Sequence, residues 1–212
     1  MAARPLAIFG GTFDPVHIGH LSVAWEASEL LDADVHLMPA SVPPHRPPPT
    51  ASADQRVAML SAALQGQSRL TLDSRELQRS GPSYTIDTLI ELRAEQGDRP
   101  LVLLIGADAF AGLPSWDRWL EIFDVAHIGV LSRPGIDATL SDALLQFIND
   151  RRVESTGEWR GTPAGKVIEL TVTPLEISAT RIRELLAAGR DPRYLLPAGL
   201  FDDAQLLAPY RS

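Results

Sequence analysis

Cysteine is absent from the chain, so disulfides, thiol catalysis and cysteine-ligated zinc are excluded at once. Basic residues are outnumbered: 19 Lys and Arg stand against 27 Asp and Glu, a formal net charge of −8. That sign suits neither nucleic acid nor an anionic membrane, which bind positive surfaces. It leaves room for a small phosphorylated substrate, because a few cations in a cleft can outweigh a distant global charge. No run reaches ~18 uninterrupted apolar residues, so no membrane span is expected. Met1 to Phe9 holds too short an apolar run for a secretion signal, and the expected location is cytoplasmic. Two common phosphate-binding signatures are also missing. There is no Gly-Lys-Ser/Thr Walker loop and no Gly-x-Gly-x-x-Gly fingerprint.

What is present is a chain of 212 residues, 45% apolar and 22% charged, close to the averages of a packed domain. We read residues 1–190 as one α/β domain and residues 191–212 as a C-terminal helical extension of it. Short apolar runs at Leu6–Phe9, Val35–Met38, Leu70–Asp73, Leu101–Ile105 and His127–Leu131 read as buried strands, and Val167–Val172 reads as an edge strand. Helical spacing covers Ile18–Leu31, Asp54–Leu64, Ser83 to about Glu95, Trp116–Ile122, Thr139–Ile148 and Ser178–Ala187. The proline-rich stretch Ala40–Thr50 can be neither helix nor central strand, and the Gly-rich, polar stretch Ser155–Lys166 reads as a mobile excursion. Alternation of strand and helix predicts a Rossmann-like, doubly wound parallel sheet, with helices on both faces and a small C-terminal helical cap. In such sheets ligands gather at the carboxyl ends of the strands, so the loops after Phe9, Met38, Ile105 and Leu131 are expected to line the site.

The densest chemical signal follows the first strand: Gly10-Gly11-Thr12-Phe13-Asp14-Pro15-Val16-His17-Ile18-Gly19-His20. Adjacent glycines let backbone N–H groups approach an anion, and the helix that follows offers unpaired N–H groups and a positive dipole end. His17 and His20, three apart, share a face in the first turn and can both donate to one polyphosphate; a nearby anion would favour their charged form. Helix capping and metal ligation are the competing readings of the histidine pair, but Asp14 is the sole further ligand type nearby. A second signal is Ile177-Ser178-Ala179-Thr180-Arg181-Ile182-Arg183. Ser178 or Thr180 can cap a helix whose N-terminus binds anions, and Arg183 falls one turn in.

Together these strings resemble the nucleotidyltransferase superfamily with the His-x-Gly-His motif, in which the histidines hold the α- and β-phosphates of the nucleotide. Its C-terminal Ile-Ser-x-Thr-x-x-Arg motif, serving the β- and γ-phosphates, matches Ile177, Ser178, Thr180 and Arg183, and leaves Arg181 as a surface charge. Further segments, in order, are Val42-Pro43-Pro44-His45-Arg46, Pro82 to Thr88, Ile105-Gly106-Ala107-Asp108, Pro114-Ser115-Trp116, His127 and Ser132-Arg133-Pro134-Gly135. From Leu6 to about Leu196 they resemble the bacterial nicotinate-nucleotide adenylyltransferases.

That resemblance implies transfer of AMP from ATP to nicotinate mononucleotide, giving deamido-NAD and pyrophosphate in NAD biosynthesis. It implies direct in-line attack by the acceptor phosphate, with Mg²⁺ carried by ATP and no protein metal site. His17, His20 and Arg183 would be catalytic. Gly10, Gly11, Thr12, Phe13, Gly106, Asp108, Arg133, Ile177, Ser178 and Thr180 would bind ATP. Tyr84, Thr85, Trp116, His45 and Arg46 would bind the acceptor. On spacing alone Trp116 is as well read as a core residue as a pyridine-stacking one, and His45 and Arg46 as plain loop; the resemblance favours the ligand role. The partners expected are the two nucleotides, with no nucleic acid or membrane. The sequence assigns neither an oligomeric state nor the strength of preference for the acid over the amide of the pyridine ring.

His17-Ile18-Gly19-His20 is also the string of class I aminoacyl-tRNA synthetases. The Lys-Met-Ser-Lys-Ser-like loop, anticodon-reading region and basic surface those need are not visible here. Pantetheine-phosphate adenylyltransferases are shorter and lack the Trp116 and Tyr84-Thr85 segments. A nucleotide-binding regulator without catalysis is opposed by the presence of His17, His20 and Arg183 together.

Overall fold

The computed structural model describes residues 3–41, 48–79, Gly81, 83–132, 139–155 and 157–211. Seven strands are present: β1 (Leu6–Gly11), β2 (Asp34–Pro39), β3 (Leu70–Leu72), β4 (Leu101–Gly106), β5 (His127–Ser132), β6 (Arg152–Val153) and β7 (Val167–Thr171). All pair in parallel, in the order β3-β2-β1-β4-β5-β7-β6. The helices are α1 (Ile18–Leu31), α2 (Ala53–Ala63), α3 (Thr85–Gln96), α4 (Ala107–Ala111), α5 (Ile122–Val125), α6 (Asp142–Ile148) and α7 (Ala179–Ala187). The Rossmann-like expectation is met.

Parallel strands covered on both faces should read as continuous apolar runs, and these do. The two-residue period divides them between two cores. Ala7, Val102 and Leu104 face one layer, where Ala24 and Leu31 of α1, Met59 and Leu60 of α2, and Ile182 and Leu186 of α7 are buried. Leu6, Ile8, Leu101, Leu103 and Ile105 face the other, against Ile86, Leu89 and Leu92 of α3, Phe110, Ile122 and Leu144. The tail joins the first layer through Leu196, Leu200, Leu207 and Tyr210.

Three expectations are corrected. Trp116–Ile122 is not a helix. Pro114 lies in a 3₁₀ turn at Leu113–Ser115, Trp116 is extended, and Arg118 has φ of 46°, a left-handed value that stops helix growth before Ile122. Strand β7 is not the edge, because the two-residue β6 pairs outside it; so short a strand carries no alternation to read. Residues 155–166 are no mobile excursion as far as they are described. Trp159 is buried to 1% exposure, its indole N–H donates to the Ser155 carbonyl at 2.9 Å, and its ring meets His127 edge-on. The small helical cap expected of the tail is present as two 3₁₀ helices, Ala198–Phe201 and Ala208–Tyr210; Pro197 and Pro209 deny it the amide donors a longer helix needs.

Gly129 in β5 shows how tightly the first layer is filled. A Cβ there would stand 2.7 Å from Leu104 Cδ2, 3.1 Å from Val102 Cγ1 and 3.2 Å from Leu170 Cδ1. Gly129→Ala is therefore expected to destabilise the fold by about 1–3 kcal/mol through overpacking. Gly161→Ala, where a Cβ meets nothing within 4 Å, serves as the control in urea unfolding. Equal midpoints for the two variants would contradict the packing described.

Candidate active site

The strand order reverses between β1 and β4: β2 and β3 extend one way, β5, β7 and β6 the other. Crossover connections therefore leave on opposite sides, and a crevice opens at the carboxyl ends of the central strands. Two cavities occupy it. One of about 850 Å³ is lined by the loop after β1, by Gly106 and Leu131, and by residues 172–175 and 177–180 with Arg183. The other, about 350 Å³, lies between β1, β2, β4 and α3, and includes Trp116. Gly11 and Thr12 line both. A stretch of main chain is thus the wall between them.

In the larger cavity His17 is the N-cap of α1. Its Nδ1 accepts the His20 amide, and His20 Nδ1 accepts the His17 amide, both at 3.3 Å. This reciprocal box, made by two imidazoles, satisfies orphan donors of the helix N-terminus. The rings stack with centroids 3.6 Å apart and 20° between planes. Gly19 permits this, since a Cβ there would press on the His17 ring at 3.1 Å. With Nδ1 accepting on each ring, the neutral imidazole carries its proton on Nε2, which becomes the donor offered to a ligand. Burial lowers the His17 pKa to about 4; burial, with the neighbouring His17 charge adding repulsion, lowers that of His20 to about 3. Both are thus neutral near pH 7 without a ligand, unlike the charged form expected beside an anion.

Across the cavity Ser178 caps α7, its Oγ accepting the Arg181 amide at 3.2 Å. Thr180 takes a different part, accepting from Arg183 Nη2 at 3.2 Å. Arg183 Nη1 donates to the Asp14 carbonyl at 2.7 Å, so two of five N–H groups are committed and the rest of the fork remains. Arg181 is exposed.

The structure gathers His17, His20, Arg183, Thr12, Phe13, Gly11, Gly106, Ile177, Ser178 and Thr180 around the larger cavity, and Gly10, Thr85 and Trp116 around the smaller. Asp108 is exposed in the first turn of α4 and lines neither; Tyr84, the N-cap of α3, is 44% exposed and also lines neither. His45, Arg46 and Arg133 lie outside the described residues.

Three structuring residues escaped the sequence reading. Asp14, 5% exposed, accepts from the Thr50 amide at 2.8 Å, the Ala51 amide at 3.0 Å and the Tyr210 hydroxyl at 2.7 Å. Arg56, 2% exposed, donates from Nη1 to the carbonyls of Thr12 (2.9 Å) and Ala40 (2.8 Å), clasping the loops after β1 and β2. A signal for it exists: Arg56 shares the buried stripe of α2 with Met59 and Leu60, at the i, i+3, i+4 spacing. Tyr210 announces itself by no pattern.

Comparison with known proteins agrees with this geometry. Residues 8–185 match the cytidylyltransferase-like family. A Marinobacter nauticus protein named "Probable nicotinate-nucleotide adenylyltransferase" is 49% identical over 192 residues, covering 90% of this chain and 89% of that protein. A Pseudomonas syringae pv. tomato protein of the same name is 46% identical over 211 residues, 99% of this chain and 95% of that one. Among solved structures, the Plasmodium falciparum nicotinic acid mononucleotide adenylyltransferase complexed with NaAD superposes with a TM-score of 0.70 at 16% identity, covering 98% of this chain and 96% of that one. At that identity the likeness speaks for the fold.

The histidines make stability depend on pH. His17, His20 and the core residue His127, also lowered to about 4 by burial, bind protons less readily folded than unfolded. Stability is therefore full above about pH 6.5 and falls as pH drops from there toward about 4, at up to about 1.4 kcal/mol per pH unit for each histidine. Urea midpoints across this range should show the decline, and replacing His20 with Asn should flatten it. A midpoint independent of pH over that window would refute the buried neutral pair.

Proposed function

The chain belongs to the cytidylyltransferase-like family and, within it, to the nicotinate-nucleotide adenylyltransferases, and from that membership we propose how its two cavities divide one reaction. The activity is transfer of AMP from ATP to nicotinate mononucleotide, yielding deamido-NAD and pyrophosphate. The larger cavity takes the triphosphate and the smaller takes the pyridine ring; the reacting phosphorus and the attacking phosphate oxygen meet at the Gly11–Thr12 wall. The observation that carries this reading is that His17, His20 and Arg183, from the start of α1 and from α7, line one cleft that shares that wall with a second pocket containing Trp116.

The acceptor phosphate is already an anion, so the attack needs no strong general base. Catalysis then rests on alignment and on donors aimed at phosphate oxygens as negative charge moves onto pyrophosphate. The Nε2–H groups of His17 and His20 serve the α- and β-phosphates, with the amides around Gly10, Gly11, Thr12 and Phe13 completing the cradle. Arg183, Ser178 and Thr180, with the Ile177 backbone, serve the β- and γ-phosphates at the N-terminus of α7. Gly106, Asp108 and Arg133 are assigned to the nucleoside end of ATP. Trp116 offers a flat face to the pyridine, worth about 1 kcal/mol beyond area burial, and the Tyr84–Thr85 turn at the start of α3 receives its carboxylate. His45 and Arg46 are assigned to the acceptor phosphate.

The larger cavity has one carboxylate among its described lining residues, Asp14, and both its oxygens are occupied by amides and the Tyr210 hydroxyl. The other polar side chains of the lining carry N–H and O–H donors, which suit phosphate oxygens rather than a hard cation. Mg²⁺ fits this site through the oxygens of ATP and water, and supplies further charge neutralisation there.

Pyrophosphate release from ATP, measured with nicotinate mononucleotide, nicotinamide mononucleotide and phosphopantetheine side by side, tests the assignment; turnover should be fastest with the first. His20→Ala should lower kcat by about 10²-fold or more while the Kd for ATP changes only a few-fold. Near-normal kcat in that variant would remove the role given to the imidazole.

A further inference from the structure

The smaller cavity contains a charge that the reaction does not explain. Among its described lining residues Glu76 is the one ionisable side chain, set with Thr85, Thr88 and Trp116. Glu76 is tied into place. Its Oε1 accepts from the Thr88 hydroxyl at 2.9 Å, and that hydroxyl accepts from Arg79 Nη1 at 2.6 Å, which also donates to Ser83 Oγ at 3.2 Å. Thr88 is 2% exposed. Glu76 Oε2 has no hydrogen-bond partner among the described residues.

Resting on the proposed function, this arrangement creates a conflict. The acceptor brings a carboxylate on the pyridine ring into a pocket of about 350 Å³ that already holds one. Two ionised carboxylates close together in a partly desolvated site cannot both remain charged without a large cost, and one shared proton removes it.

We propose that Glu76 makes binding of the acid, and not of the amide, depend on pH, by taking one proton from solvent when nicotinate mononucleotide binds and donating it, as a hydrogen bond, to the pyridine carboxylate. No bond to carbon or phosphorus changes in this step. A proton moves from water to a Glu76 oxygen, and the substrate carboxylate accepts.

The surroundings favour that proton. Burial already holds the Glu76 carboxyl above the ordinary carboxylate range, with the Thr88 hydrogen bond and the Arg79 charge opposing, and with repulsion from Asp73 and Glu91 adding to the rise. The other charged groups nearby are paired with one another. Arg79 Nε donates to Glu91 at 3.2 Å; Arg75 bonds Asp73 at 2.9 Å and Glu95 at 2.8 Å; His36 meets Asp73 at 3.4 Å. None of these residues lines the cavity.

The test is the KM for each pyridine nucleotide from about pH 6.5 to 8.5. For the acid, KM should climb by up to about tenfold per pH unit over that range as the shared proton becomes harder to keep. For the amide it should stay within about twofold. The two substrates share their phosphate group, so its titration cancels in the comparison. Glu76→Gln keeps the shape and the Thr88 acceptor but carries a permanent N–H donor. It should abolish the climb for the acid.

Calorimetry on the wild-type enzyme, in two buffers of different ionisation enthalpy, reads the same event without a variant. Acid binding should take up close to one proton at the alkaline end, and amide binding none. Parallel pH profiles for acid and amide, or no difference in proton uptake between them, would overturn this proposal while the adenylyltransferase assignment stands. Absence of turnover with either pyridine nucleotide would fell both together.

Discussion

Asp14 lies between the two halves of the nucleotide cleft with almost no access to solvent, and its oxygens are claimed by two amides at the entry to α2 and by the hydroxyl of Tyr210. Its own carbonyl takes Arg183, whose charge also lies 3.8 Å from the carboxylate. Four segments far apart in sequence meet at this one residue: the loop after β1, the approach to α2, the first turns of α7 and the last turn of the chain. Each of these partners counts, because a hydrogen bond to a charged group contributes about 1.5–3 kcal/mol. Burial and the hydrogen bond to Asp14 keep the Tyr210 hydroxyl protonated far beyond physiological pH, so its donor is permanent. The histidines three and six positions onward inherit their placement from this anchor, as does the arginine opposite.

The groups assigned to the triphosphate are consequently set before any ligand arrives. Each imidazole uses one nitrogen to finish the helix N-terminus, which fixes ring orientation and proton position together. The guanidinium is braced by a carbonyl on one side and a hydroxyl on the other. Such donors need little reorganisation as charge shifts during phosphoryl transfer, where preorganisation counts for most.

Much of this was legible in the sequence. The strands of the sheet were recoverable because both faces are buried and the apolar runs are unbroken, and α1 because its cap, period and length agree. The loop from Gly10 to His20 and the segment from Ile177 to Arg183 were found because their chemistry is local: glycines, a cap, and polar residues one turn apart. What stayed hidden is what only tertiary contact decides. The union of Asp14 with Tyr210 spans 196 positions and has no periodic trace. Trp159 looked like part of a polar loop because a single buried indole, not a pattern, holds that segment. The expected helix at Trp116 failed on one residue, Arg118, whose left-handed backbone no propensity foretells. Strand β6 was too short to leave a signature.

Gly11 and Thr12 stand between the two cavities, and their main chain is held from both sides. Gly11 is registered against Pro39 of β2, its carbonyl takes the Ala40 amide at 2.9 Å, and the Thr12 carbonyl is clasped by Arg56. Side chains on either flank can therefore be exchanged during evolution without shifting the line along which donor and acceptor approach. Relatives on this scaffold are free to change what they join while the meeting point itself stays put.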